Sequence, residues 1–155
     1  MFPLDIVSKH VLSRTRKYGA GHPDLKLNVR KYLDAHFGQW SWQVRTDVVD
    51  SDMKPIKLVR FNLNGGPGID VRKEVLLFYV KFTKMYQFDW LSLSRDQMHV
   101  VRITKPDFYI STEVNAWLDE LCTDQGWVCL DEGRDGVTVF FSNEDNAATF
   151  KLKYG

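Results

Sequence analysis

The sequence predicts an α+β fold in which an antiparallel sheet carries helices on one face, with a ferredoxin-like βαββαβ arrangement in the C-terminal part. Three observations predict it. Val114, Trp117, Leu118, Leu121 and Cys122 recur at helical spacing and make one apolar stripe. Two β-branched and aromatic runs, 127–132 and 137–142, are separated by Gly133, Arg134, Asp135 and Gly136, whose glycines tolerate the positive φ of a hairpin turn. Residues 98–104 (MHVVRIT) supply another strand, which Pro106 ends.

Taken in order, residues 1–21 read as an irregular basic segment. Pro23 and Asp24 open a helix that runs to Phe37 and that Gly38 closes. Residues 39–47 and 55–64 read as strands, and Asn64, Gly65, Gly66, Pro67 and Gly68 as a turn. Residues 71–86 match helix and strand templates alike, and their aromatic and β-branched content favours a strand. Ser111 and Thr112 offer N-cap hydroxyls to the stripe helix, which Gly126 closes in the left-handed conformation. Asn143 caps a short helix to Thr149 with Glu144 and Asp145 at its positive end, and Phe150, Leu152 and Tyr154 alternate with lysines as a closing strand. The reading is a single domain over 1–155, with the ferredoxin-like unit at 97–155 and an αββ plus extended segment at 22–96. One internal likeness cuts across it. Val29, Tyr32, Leu33 and Asp34 match Val114, Trp117, Leu118 and Asp119 in spacing, and each helix precedes a tryptophan-led strand (Trp40, Trp127), so that two αββ units would share one sheet.

A chain of 155 residues with 44% hydrophobic and 14% aromatic composition builds a packed core without staples, which excludes a disordered or fibrous class. The two cysteines, Cys122 and Cys129, are too few for a disulfide scaffold and lack CxxC spacing, which points to a reducing, cytoplasmic setting. No signal-peptide or membrane-spanning run is expected. Charge is uneven: residues 1–45 carry eight Lys or Arg against three acids, residues 53–106 ten against four, and residues 107–150 one against ten. Such a field steers a charged partner if the fold keeps the signs apart, and cancels if the segments pack together.

Local motifs name no chemistry, and no catalytic residue, metal ligand or cofactor is expected. His10, His22, His36 and His99 lack the spacing that brings two imidazoles to one metal. The 64–68 turn lacks the GK[ST] ending of a phosphate loop, and Pro67 removes a donor. Cys122 falls on the buried stripe, where a thiol is inert packing. An RNA-recognition surface is disfavoured, because VTVFF has no preceding Lys-Gly, HVVRI has no aromatic, and the surroundings are acidic.

Residues 137–155, VTVFFSNEDNAATFKLKYG, resemble the endings of small accessory proteins of tailed bacteriophages, and the basic VLSRTRKY segment accompanies them. The resemblance implies a protein made in the host bacterial cytoplasm, and it carries no catalytic residue. Three function classes stay open. The first is a non-enzymatic interaction protein that binds and modulates a host defence or nucleic-acid-processing protein, with Trp40, Trp42, Tyr86 and Trp90 as aromatic anchors and Asp131, Glu132 and Asp135 on an acidic surface. The second is a nucleic-acid-binding module with Arg14, Arg16, Lys17 and Lys26 on phosphates. The third is a small enzyme whose site assembles from distant residues. An exposed edge at 150–154 would also open a route to a homodimer, which Lys151 and Lys153 discourage.

Overall fold

The computed structural model describes residues 2–13, 25–38, 42–46, 52, 57–64, 71–83 and 86–155. The chain divides into two compact units, Met1–Lys84 and Met85–Gly155, where the sequence predicts one domain with a boundary at 97. The α+β class holds in each unit, with helices beside a three-stranded antiparallel sheet.

The N-terminal unit opens with strand β1 (Phe2–Val7) and a single helical turn α1 (Ser8–Val11), followed by helix α2 (Leu27–Phe37), strands β2 (Trp42–Arg45) and β3 (Leu58–Leu63), and helix α3 (Val71–Thr83). Residues 2–7 therefore form a strand within the segment expected to be irregular. Phe2, Leu4 and Ile6 alternate inward, and Pro3 is tolerated because β1 is an edge of the β1-β3-β2 sheet. Helix α2 begins at Leu27 rather than Pro23, and residues 14–24 lie outside the described ones, as does the 65–68 part of the predicted turn. Val29, Leu33 and Phe37 bury its inner stripe, and Gly38 closes it at φ 75°. Residues 71–83 are helical, not extended. Val75, Leu76, Leu77 and Phe78 are buried in succession on a helix that packs against β1 and α2, so burial on a broad face overrides β-propensity.

The C-terminal unit runs through strand β4 (His99–Ile103), helix α4 (Thr112–Leu121), strands β5 (Trp127–Asp131) and β6 (Val137–Phe141), and helix α5 (Glu144–Tyr154). Its sheet order is β4-β6-β5, with β6 antiparallel to both neighbours. Ser111 Oγ accepts from the Val114 N–H at 3.2 Å, and Asn143 Oδ1 accepts from Asp145 and Asn146 at 2.8 and 3.2 Å, so both N-caps form where the sequence places them. Gln125, at φ 60°, takes the left-handed position assigned to Gly126. Gly126 is needed for a different reason, since a Cβ there would overlap the Ser142 hydroxyl. Residues 150–154 are the last turns of α5, which overturns the closing strand and with it the edge-strand route to a dimer. Phe150 and Tyr154 face inward one helical turn apart while Leu152 is 89% exposed, a pattern that no strand would give. Val101, Ile103, Val137, Val139 and Phe141 meet Val114, Leu118, Cys122, Ala147 and Phe150 in the core.

Apart from the single turn α1, the two units share the same βαββα order, with the third strand central in each of two separate sheets rather than one shared sheet. Their registers coincide: Phe2 and Trp42 flank Leu63, as His99 and Trp127 flank Phe141. Ring clusters coincide too. Tyr32 lies edge-on to Phe82 at 5.6 Å with Lys81 over its ring, and Trp117 lies edge-on to Tyr154 at 5.4 Å with Lys153 over its ring. Phe78 contacts Phe82, and Phe150 contacts Tyr154, each at 5.3 Å. The chain is thus a tandem pair of one structural unit. The tryptophan that matches Trp127 is Trp42; Trp40 lies outside the described residues.

Candidate functional site

A single recurrent polar contact ties helix to strand in both units. The Trp42 indole N–H donates to Asp34 Oδ1 at 3.0 Å, and the Trp127 indole N–H donates to Asp119 Oδ1 at 3.0 Å, each across eight residues. The carboxylate stands near the end of the first helix and the indole at the start of the next strand, so the bond fixes the angle between them. In the C-terminal unit this contact forms the wall of a cleft of about 750 Å³. Tyr86 and Gln87 contribute from the segment before the short 3-10 turn at Trp90–Ser92, Asn115 and Asp119 from α4, Cys122, Thr123 and Gln125 from its C-terminal turn, and Trp127 and Cys129 from β5.

Asp119 is held from both sides by neutral donors, since the Asn115 side-chain amide also reaches its Oδ2 at 3.2 Å. Nearby Asp124 accepts from the Gly126 N–H at 3.0 Å and from the Ser142 hydroxyl at 3.0 Å. Among the described residues, no Lys or Arg pairs with either carboxylate. Burial, reinforced by Asp124 and Asp119, pushes the Cys122 thiol up to about 11, and burial reinforced by Asp131 pushes the Cys129 thiol up to about 12. Both are neutral thiols at physiological pH. The cleft therefore combines an indole, a phenol, side-chain amides and one fixed carboxylate, a set suited to holding a cation rather than to nucleophilic chemistry. Among the described residues no group of three or more His, Cys, Asp or Glu is placed to share a metal ion, and no helix is long and apolar enough to cross a membrane.

The residues singled out from sequence are dispersed. Tyr86 lines the cleft. Trp42 is half-buried and committed to Asp34. Trp90 is fully enclosed against Phe88 at 5.0 Å, which makes it a core ring and not a surface anchor. Asp131 and Asp135 are exposed at the β5–β6 turn, where Asp131 caps the Gly133 N–H at 2.8 Å. Glu132 is buried, accepting from Arg102 Nε at 3.2 Å and from the Thr138 hydroxyl, so it locks β4 to the hairpin and offers nothing to a partner. Lys26 precedes α2, with its Nζ on the Lys9 carbonyl at 3.3 Å. Arg14, Arg16 and Lys17 lie outside the described residues, as does Trp40. Asn115, Trp127 and Cys129 are not candidates from the sequence, and Asp119 enters there only as one acid of a negative helix face. The signal that finds Asp119 and Trp127 is the Asp-to-Trp interval of eight, present twice.

The acidic character also has a place. Glu144 and Asp145 open α5 directly after its N-cap Asn143, where α3 carries Arg72 and Lys73 at matched positions, followed by Glu74. Over the whole sequence, unit 1–84 holds fifteen Lys and Arg against eight acids, and unit 85–155 holds six against twelve. Comparisons of the chain with protein-family models, with curated proteins and with solved structures find no match to any of the three.

Proposed function

We propose that this is a non-enzymatic interaction protein whose acidic C-terminal unit binds a basic surface of another protein. In the phage setting that residues 137–155 imply, the partner is a host defence or nucleic-acid-processing factor, which the protein modulates or inhibits. The observation that carries the reading is charge inversion on a repeated frame. The architecture accepts basic residues at these positions, because α3 carries Arg72 and Lys73 there with Glu74 alone as its first-turn acid; the exposed Glu144 and Asp145 of α5 exceed what the helix end requires and are available for recognition. With Asp119 and Asp124 at the neighbouring end of α4, they make a negative surface that repels a phosphate backbone and attracts the groove of a protein that binds one.

The basic N-terminal unit supports a second reading, direct binding of nucleic acid, because its charge is +7 by the same count. Affinity capture on the full chain from bacterial lysate separates them. A retained protein that elutes with salt, and survives nuclease treatment, supports the first. Retention of nucleic acid alone, weakening steeply as salt rises, overturns it in favour of the second.

A further inference from the structure

The tandem frame lets each cleft residue be read against its counterpart in the other unit. Where α4 places Asn115 one turn before Asp119, α2 places Arg30 one turn before Asp34. Where Cys122 and Cys129 line the C-terminal cleft, Phe37 and Val44 stand in the N-terminal unit, and Phe37 fills its position with a ring packed against Phe78 at 6.3 Å. The C-terminal unit thus lacks, at matched positions, one guanidinium and one phenyl ring. Arg30 itself is exposed and forms no ion pair with Asp34, so the comparison locates the cleft, and it is the Asp119 carboxylate beside the Trp127 indole that selects a cation for it.

From this we infer that the cleft of the C-terminal unit receives an arginine side chain from a partner polypeptide, seated against Trp127 and Tyr86 and paired with Asp119. Arginine is favoured over lysine because the planar group stacks on an aromatic face while donating to a carboxylate, and Gln87 and Gln125 are among the residues that line the same space. The cleft volume of about 750 Å³ exceeds one side chain, so the occupant is a short segment carrying that arginine rather than a free guanidinium compound. The inference rests on the protein-binding reading above and names the contact that reading needs.

The test is titration of the isotope-labelled full chain with a five-residue peptide, capped Gly-Ser-Arg-Gly-Ser, and with the same peptide carrying lysine or the neutral isostere citrulline. The expected result is movement of the Trp127 indole N–H resonance with the arginine peptide, less with lysine and none with citrulline. Asn115→Arg restores the residue that the sister helix carries at an exposed site; it is expected to weaken the arginine peptide about tenfold or more, as loss of a charge-assisted hydrogen bond does, and to leave the thermal midpoint unchanged. Asp119→Asn, which keeps an acceptor for the indole, is expected to do the same. Equal binding of the arginine and citrulline peptides, or full binding by both variants, overturns the inference. If both variants still capture the lysate partner while an acid-reversed α5 does not, the cleft is wrong and the protein-binding reading stands. If no variant, including the reversed α5, changes capture, both fail.

Discussion

At the residue scale, the Trp–Asp bond is the contact most clearly written into the chain, because it joins side chains eight residues apart in both units. It is exposed, so its contribution is modest. Asp34→Ala and Asp119→Ala are each expected to lower stability by about 1 kcal/mol, read as a shift in the denaturant midpoint with unchanged slope. The thiols give a pH-dependent check. Their folded values of about 11 and about 12 lie above the ordinary 9.0, so above pH 9 the unfolded chain releases protons that the folded chain retains. Stability from these neutral thiols is complete below pH 9 and declines as pH rises through 11 to 12. Cys122, which is buried, is expected to be slow toward a disulfide reagent at pH 8 in the native protein and fast in denaturant, with the half-buried Cys129 the faster of the two; rapid native reaction of Cys122 would contradict its buried placement. Sequence reasoning placed Cys122 correctly on a buried stripe. It could not see that Glu132 is buried, because one buried carboxylate in an acidic loop leaves no periodic trace; only the Arg102 and Thr138 partners, thirty and six residues away, reveal it.

At the element scale, helix α4 was legible because cap and stripe agree: Ser111 supplies the N-cap, and Val114 and Leu118 are buried along the face that Trp117 and Cys122 extend. The two helices that the sequence pattern reads as strands, 71–83 and 150–154, share a cause. Both are rich in aromatic and branched residues, and in the last stretch Phe150, Leu152 and Tyr154 satisfy a period of two as well as the helical i, i+4 interval. Tertiary packing decides, since Phe150 meets Trp117 at 6.3 Å and Phe141 at 5.4 Å from a helix. Substitution distinguishes the two geometries. Phe150→Ala is expected to cost about 3–5 kcal/mol, the range for a fully buried ring. Leu152→Asp is expected to change stability by less than about 0.5 kcal/mol, because that residue faces solvent. A large loss from Leu152→Asp would restore the strand, in which positions 150 and 152 share a face.

At the scale of the whole molecule, the duplication was only half legible. The motif pair at 29–34 and 114–119 pointed to it, but the first strand of the N-terminal unit hides in a stretch read as irregular, and its last helix in one read as a strand. With those two elements restored, the αββ likeness becomes a full βαββα repeat. The charge asymmetry along the chain then acquires meaning, because the segments of opposite sign are the two copies of one unit rather than two arbitrary stretches. Matched positions show where the copies diverged: Arg72 and Lys73 against Glu144 and Asp145, and Arg30 against Asn115. Divergence of that kind outside the core, with the core register kept, is what separate binding duties for the two halves would produce.

The most direct measurement is capture of the partner by the full chain carrying Glu144→Arg together with Asp145→Lys, which writes the charges of α3 onto α5. Because α3 tolerates those residues, the doubly substituted chain should fold, with a loss of about 1 kcal/mol or less from the helix dipole, and this is checked by its thermal midpoint. The expected result is a drop of at least tenfold in retained partner protein at about 0.15 M salt, the ionic strength at which exposed charges act over roughly 8 Å. Undiminished retention by a folded variant would contradict the assignment of partner binding to the acidic unit.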